Sequence, residues 1–221
     1  MNERRCIQTL LTALAISAGL TLLAGSGLLD WADQTACDAL YQRPSATDGK
    51  IVILGIDQKA LETYGPFQEW CRDGIARTLD ILNADPNGRP AVIGIDVLFS
   101  GGTDPQADQA LAEAAERGGN VVTACAAEFD AGFVETDAGF VHRNFLLTAF
   151  EGPFPALEAA AAQGHINAML DRDGILRRHL LYFDLPDGAR VPSLALALAE
   201  RYQEALEYPP VNAHGFWYLP Y

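Results

Sequence analysis

Two aspartates stand where α/β proteins usually place their chemistry. Asp57 closes the apolar run Ile51-Val52-Ile53-Leu54-Gly55-Ile56, and Asp96 closes Ala91-Val92-Ile93-Gly94-Ile95. Short runs rich in β-branched residues read as buried strands, and ligands of open parallel sheets bind outside the carboxyl ends of the strands. The two carboxylates are therefore expected near one crevice, where such a pair can exchange protons or hold a metal. A strand-end aspartate also caps the loop or helix that follows it, so each has a structural use too. Arg72, two residues beyond Trp70, is placed to pair with the carboxylates or to pack its guanidinium on an aromatic ring. Asp57, Trp70, Arg72 and Asp96 form the candidate ligand-binding set.

A second constellation lies in the run from Gly164 to Arg178, where Asp171-Arg172-Asp173-Gly174 separates the apolar stretches His165 to Leu170 and Leu176 to Phe183. An Asp-Gly turn between such arms predicts a β-hairpin, and Asn167, Asp171, Asp173, Gly174 and Arg177 are its candidate signalling residues. It is not an EF-hand loop, since the alternating ligand order and closing glutamate are absent. His142, His165, His179 and His214 are scattered without metal-ligand spacing. No glycine-rich phosphate loop or nucleophile elbow occurs. No catalytic residue, metal site or cofactor is assigned.

The elements that must hold these residues alternate. After the first apolar run, residues 73–83 carry Ile75, Leu79 and Leu82 at helical spacing, and Asp85-Pro86-Asn87-Gly88 turns the chain into the second strand. Asp104-Pro105 starts a helix with a side-chain cap and a proline in the first turn. It runs to Arg117, where Gly118-Gly119 stops it, and Val121 to Ala126 is a third strand. This β-α-β-α-β order predicts an α/β fold with a mainly parallel sheet and helices on both faces. Residues 128–150 show no sustained period and read as a long, ligand-facing excursion. Pro153 to Gln163 reads as an alanine-rich helix closed by Gly164, and Pro192 to Leu206 as the final helix, behind the C-terminal hairpin.

The formal charge of the 221 residues is −14, and beyond residue 29 there remain 13 basic and 28 acidic residues. Lys50 and Lys59 are the only lysines. So acidic a chain excludes nucleic acid as a partner and disfavours broad contact with anionic lipid. Ile7 to Leu29 runs for 23 positions without a charge, about 34 Å as a helix, enough to span a hydrocarbon core. Arg4 and Arg5 precede it and Asp30 and Asp33 follow, which puts the N-terminus in the cytoplasm and exports the rest. A cleaved signal peptide is the competing reading, against which stand the length of the run and the lack of an A-x-A site. Leu22-Leu23-Ala24-Gly25-Ser26 has Ser26 where a lipoprotein needs cysteine. The expected divisions are residues 1–6 cytoplasmic, 7–29 transmembrane, 30–44 a juxtamembrane helix continuing the span outward on a stripe of Trp31, Cys37, Leu40 and Tyr41, and 45–221 the exported domain. Cys6 is at the cytoplasmic edge, so at most one disulfide forms among Cys37, Cys71 and Cys125, and three ordinary buried thiols are the favoured reading.

In order along the chain, Asp33 to Tyr41, Ile51 to Asp57, Trp70-Cys71-Arg72, Ile95-Asp96-Val97-Leu98-Phe99, Asp108, Gly164 to Arg178 and Pro192-Ser193-Leu194-Ala195 resemble the CHASE2 domain, an extracytoplasmic sensor of bacterial receptors. One departure is local: Gln68 and Glu69 stand where the family usually has tryptophan and proline. The resemblance implies a receptor input that is not itself an enzyme. It also implies a continuation past Tyr221 into about three membrane helices and an output enzyme, such as a nucleotide cyclase, histidine kinase, diguanylate cyclase or serine/threonine kinase.

Three functions follow as expectations. The first is a sensor, a homodimer, that binds an unidentified small molecule or envelope component at Asp57, Arg72 and Asp96. The second is an exported metal-dependent hydrolase using the same carboxylates. The third is an envelope scaffold without a small-molecule crevice.

Overall fold

The computed structural model describes residues 3–27, 30–41, 49–136, 139–171, 173–203, 205–212 and 214–219. The chain divides into two compact units, residues 1–53 with 220–221, and residues 54–219.

The first unit holds α1 (Glu3–Gly25) and α2 (Asp30–Tyr41). Residues Arg5–Gly25 of α1 reach a mean hydropathy of 1.8 with none of that window buried in the protein. Length and composition suit a membrane span. The hydroxyls of Thr9, Thr12 and Thr21 donate to the carbonyls of Arg5, Gln8 and Ser17, each at 2.9 Å. Polar side chains in an apolar helix thus find partners on their own backbone. α1 stops at a turn over Ser26 and Gly27, with Gly27 at φ +72°. α2 lies within the segment 30–44 expected to be a juxtamembrane helix. The stripe of Trp31, Cys37, Leu40 and Tyr41 lies outside the described side chains.

A second correction falls on Ile51 to Ile56, which forms no strand. Ile51, Val52, Ile53 and Leu54 are exposed by 66% to 86%. β-branched residues favour extended backbone, but a strand needs another edge for its N–H and C=O groups, and none engages this run.

The second unit opens with α3 (Gln58–Tyr64), a single 3₁₀ turn at Phe67–Glu69 and α4 (Arg72–Leu82). β1 (Ile93–Ile95) and α5 (Pro105–Gly118) follow. As expected, Asp104 caps α5, accepting from the Gln106 and Ala107 amides at 2.9 Å, and Gly119 ends it at φ +65°. β2 (Val121–Thr136) pairs parallel with β1 from Ile93↔Val121 to Ile95↔Thr123. It pairs parallel on its other side with β4 (Ala162–His165), from Val122↔Ala162 to Cys125↔His165.

Beyond that core, β2 runs on against β3 (Gly139–Glu151), antiparallel from Ala126↔Glu151 to Thr136↔Gly139. The sheet is therefore mixed and not mainly parallel, and residues 128–150 are the bulk of a long two-stranded arm, not an irregular excursion. α6 (Pro155–Ala160) is shorter than its expected helix, because Ala161 turns to extended geometry and the next residues complete the free edge of β2 as β4.

β5 (Arg178–Leu180) pairs with β8 (Phe216–Tyr218), and β6 (Tyr182–Asp184) with β7 (Arg190–Pro192). The predicted hairpin is thus corrected: its first arm joins β2 and its second divides between two other ladders. α7 (Leu194–Tyr202) starts at Ser193, whose hydroxyl accepts from the Leu196 amide. It is shorter than the expected Pro192 to Leu206, since Pro192 belongs to β7.

Leu79, Leu111, Ala115, Val121, Phe99, Phe154 and Leu157 form one apolar core, with Ile93 and Ile95 packed on it. Cys125, Leu180, Phe183, Val191 and Phe216 form the second. A Cβ on Gly164 would lie 2.5 Å from the Leu194 Cα, so only glycine lets α7 seat on β4 so closely.

Candidate functional site

Arg72, the first residue of α4, is buried at 8% exposure. Its Nη1 donates to Asp108 Oδ1 at 2.8 Å and to the Gly101 carbonyl at 3.0 Å, and its Nη2 donates to the Ser100 carbonyl at 3.2 Å. The guanidinium lies over Phe154, 4.6 Å from the ring centroid, and over Phe99 at 5.5 Å. Asp108 also accepts from the Thr103 amide and hydroxyl, both at 2.9 Å. Burial works against the ionised carboxyl, but the two Thr103 bonds and the Arg72 charge outweigh it and hold Asp108 below the ordinary carboxylate range. One buried ion pair thereby ties α4 to α5 and fixes the loop that leaves β1.

The expected partners of Arg72 are elsewhere engaged. Asp57 follows no strand; it caps α3, accepting from the Ala60 amide at 2.9 Å. Asp96 does follow β1 and is exposed, with no hydrogen bond or ion pair among the described residues. Neither carboxylate bonds to Arg72. Trp70 donates its indole N–H to the Gly65 carbonyl at 2.8 Å and meets Tyr64 and Phe67 edge-on, closing the loop between α3 and α4. Among the described residues no group of three or more His, Cys, Asp or Glu side chains is placed to hold a metal ion.

The Asp171 turn is knotted by charge. Asp171 accepts from Arg177 Nη1 at 3.1 Å and from Arg178 Nη2 at 2.9 Å, and Asp173 accepts from both Arg177 terminal nitrogens at 3.0 and 2.7 Å. Arg177 holds the Asp173 carboxyl below its ordinary range. Gly174 sits at φ +81°, where an L side chain is strained. Arg172, within the turn, lies outside the described residues. Asn167 reaches the other way: its carbonyl accepts the Ala127 amide at 3.0 Å and its amide donates to the Ala127 carbonyl. A side chain thus extends the β2–β4 ladder after the strand has ended.

Sequence reasoning passed over the buried histidines. His165, at the end of β4, is 1% exposed, and among the described residues neither ring nitrogen has a hydrogen-bond partner. His179 on β5 lies 6.4 Å away between centroids, with its Nε2 also buried and unpaired. The Phe183 ring is 5.0 Å from His165. Burial, with the neighbouring His179 charge, lowers His165 to about 4, and burial lowers His179 as well. The signal available in the sequence was His165 inside a segment that otherwise reads as a buried strand. Nearby, Cys125 is a free buried thiol pushed up to about 12 by burial, and Cys71 is free and exposed. The Cys37 side chain lies outside those described.

The model of one family, the CHASE2 domain, matches residues 11–220. No curated protein and no solved structure matches the chain.

Proposed function

The chain belongs to the CHASE2 domain family, a family of extracytoplasmic sensory domains, and from that premise we propose that it is the input module of a bacterial transmembrane receptor. In this reading α1 crosses the membrane with the N-terminus in the cytoplasm, and the residues after it lie outside. The domain binds an unidentified small molecule or envelope component, works as a homodimer, and controls a cytoplasmic output enzyme of the cyclase or kinase kind. The family is sensory and not catalytic, so the domain's product is a conformational change.

The observation that carries the reading is the family match across nearly the whole chain, joined to one apolar helix at its start. Arg4 and Arg5 in the first turn of that helix and Asp30 and Asp33 after it support the orientation. Arg72 already has partners within the fold, so its part in sensing is to hold the loop that follows Asp96.

The test is a pair of reporter fusions in bacteria. Alkaline phosphatase, active only outside the cytoplasm, is expected to be active when fused after Leu219 and inactive when fused before Met1. The inverse pattern removes the sensor reading.

A further inference from the structure

We propose that the cavity between the β2–β3 arm and the β5–β8 and β6–β7 ladders binds a free α-amino acid with a bulky apolar side chain. This names a ligand class for the sensor reading and rests on it.

The cavity holds about 350 Å³, the lower end of the range of roughly 300–1,000 Å³ for small-molecule sites, where a few polar groups orient an otherwise apolar ligand. Phe129 and Phe145 from the arm, Leu180 from β5 and Phe183 from β6 supply hydrocarbon to its lining, and Asp184, Arg190, Asn212 and His214 supply polar groups. Phe129 and Phe183 pack edge to face with centroids 5.3 Å apart. Before β8, the Asn212 side chain accepts from the His214 amide at 2.9 Å and the Phe216 amide at 3.1 Å. A Cβ on Gly215, which sits at φ +82°, would come within 2.8 Å of the Tyr182 carbonyl. Glycine therefore brings this backbone against the cavity's edge.

The charged groups of the lining are one opposite-charge pair. Arg190 Nε donates to Asp184 Oδ1 at 2.8 Å and Nη2 to Oδ2 at 3.3 Å. The Arg190 guanidinium is steadied over the Tyr182 ring, 4.1 Å from its centroid. Both charged side chains are more than half exposed, so water already competes for the pair and it holds the fold only weakly. A simple anion would meet Arg190 but be repelled by Asp184 and by the −14 charge of the chain. A simple cation would meet the reverse mismatch at Arg190. A zwitterion fits both: its carboxylate takes the planar guanidinium, its ammonium takes Asp184, and its side chain packs against the Phe129, Phe145 and Phe183 rings.

The experiment uses the full chain in detergent micelles, with L-phenylalanine and L-leucine as probes and isothermal titration calorimetry as the readout. Saturable binding is expected, about tenfold or more weaker in Arg190→Gln and in Asp184→Asn, as for loss of a charge-assisted contact. Circular dichroism checks that both variants remain folded. Absence of binding by both amino acids, or binding indifferent to both substitutions, overturns the proposal. So does benzyl alcohol binding as tightly as phenylalanine, because it has the ring and neither charge. If binding fails while the phosphatase reporters keep their expected pattern, only the cavity's ligand class falls. Inverted reporters remove the sensor reading whatever the cavity binds.

Discussion

Arg72 and Asp108, 36 residues apart in the chain, meet at 2.8 Å with side chains only 9% and 12% exposed. Breaking a buried pair by removing one partner leaves an uncompensated charge, at a cost of about 3–5 kcal/mol. Arg72→Met and Asp108→Leu are each expected to destabilise by about that much in chemical denaturation. The double variant should lose less than the sum of the two, and strict additivity would show that the ion pair is not the source.

His165 gives the chain an acid limit. Its folded-state value lies below the unfolded one, so the unfolded chain holds more protons between about pH 6.5 and 4. Its contribution to stability is complete above pH 6.5 and falls as pH drops toward 4, by roughly 3 kcal/mol. Asp108 is lowered as well, so its contribution is complete above the ordinary carboxylate value of 3.8 and is lost as pH falls from there through its lowered range. His165→Leu is expected to flatten the melting temperature between pH 7 and pH 5; an unchanged slope would assign the acid sensitivity elsewhere.

Gly164→Ala places a methyl group against the Leu194 backbone, and the helix cannot yield as a flexible side chain would. A loss of about 1–3 kcal/mol or more is expected from overpacking. Gly174→Ala, with open space around it but positive φ, should cost about 1–2 kcal/mol from backbone strain alone. Thermal unfolding of the two variants separates crowding from strain.

Asn167→Ala removes both bonds to Ala127. About 2 kcal/mol is expected to be lost, and amide exchange at Ala127 should speed up while that at Val122 and Ala124, deep in the sheet, stays slow. Equal acceleration at all three sites would mean global unfolding and not a local lock.

What the sequence revealed follows the range of the forces involved. The caps and ends of α5 were legible because Asp104, Pro105 and Gly119 act on their immediate neighbours. The parallel pairing of β1 with β2 was legible because a helical crossover leaves few other topologies. Ile51 to Ile56 shows the limit: composition favours extended backbone but does not name the edge that would receive it. The β2–β3 arm escaped notice for another reason. Register shifts between Glu128 and Phe129 and between Asp130 and Gly132 interrupt the two-residue period, and much of its outer part is exposed on both strands, so no apolar face marks it.

At the site, the sequence drew attention to Arg72 but not to its partner. Asp57 and Asp96 sit at the ends of similar runs, whereas Asp108 lies on a helix face, and nothing local announces a contact made across 36 residues. The cavity was hidden for the same reason, since its walls come from five strands and the loop before β8.

The register shifts also bear on how the purified chain behaves in concentrated solution. A long ribbon with open edges is a template on which strands of other molecules can add without limit. Kinks at Glu128/Phe129 and Asp130/Gly132 spoil the flat edge that such growth requires, and the carboxylates of Glu128, Asp130 and Glu135 repel an identical strand. The exposed outer part of the arm is thus guarded against seeding fibres.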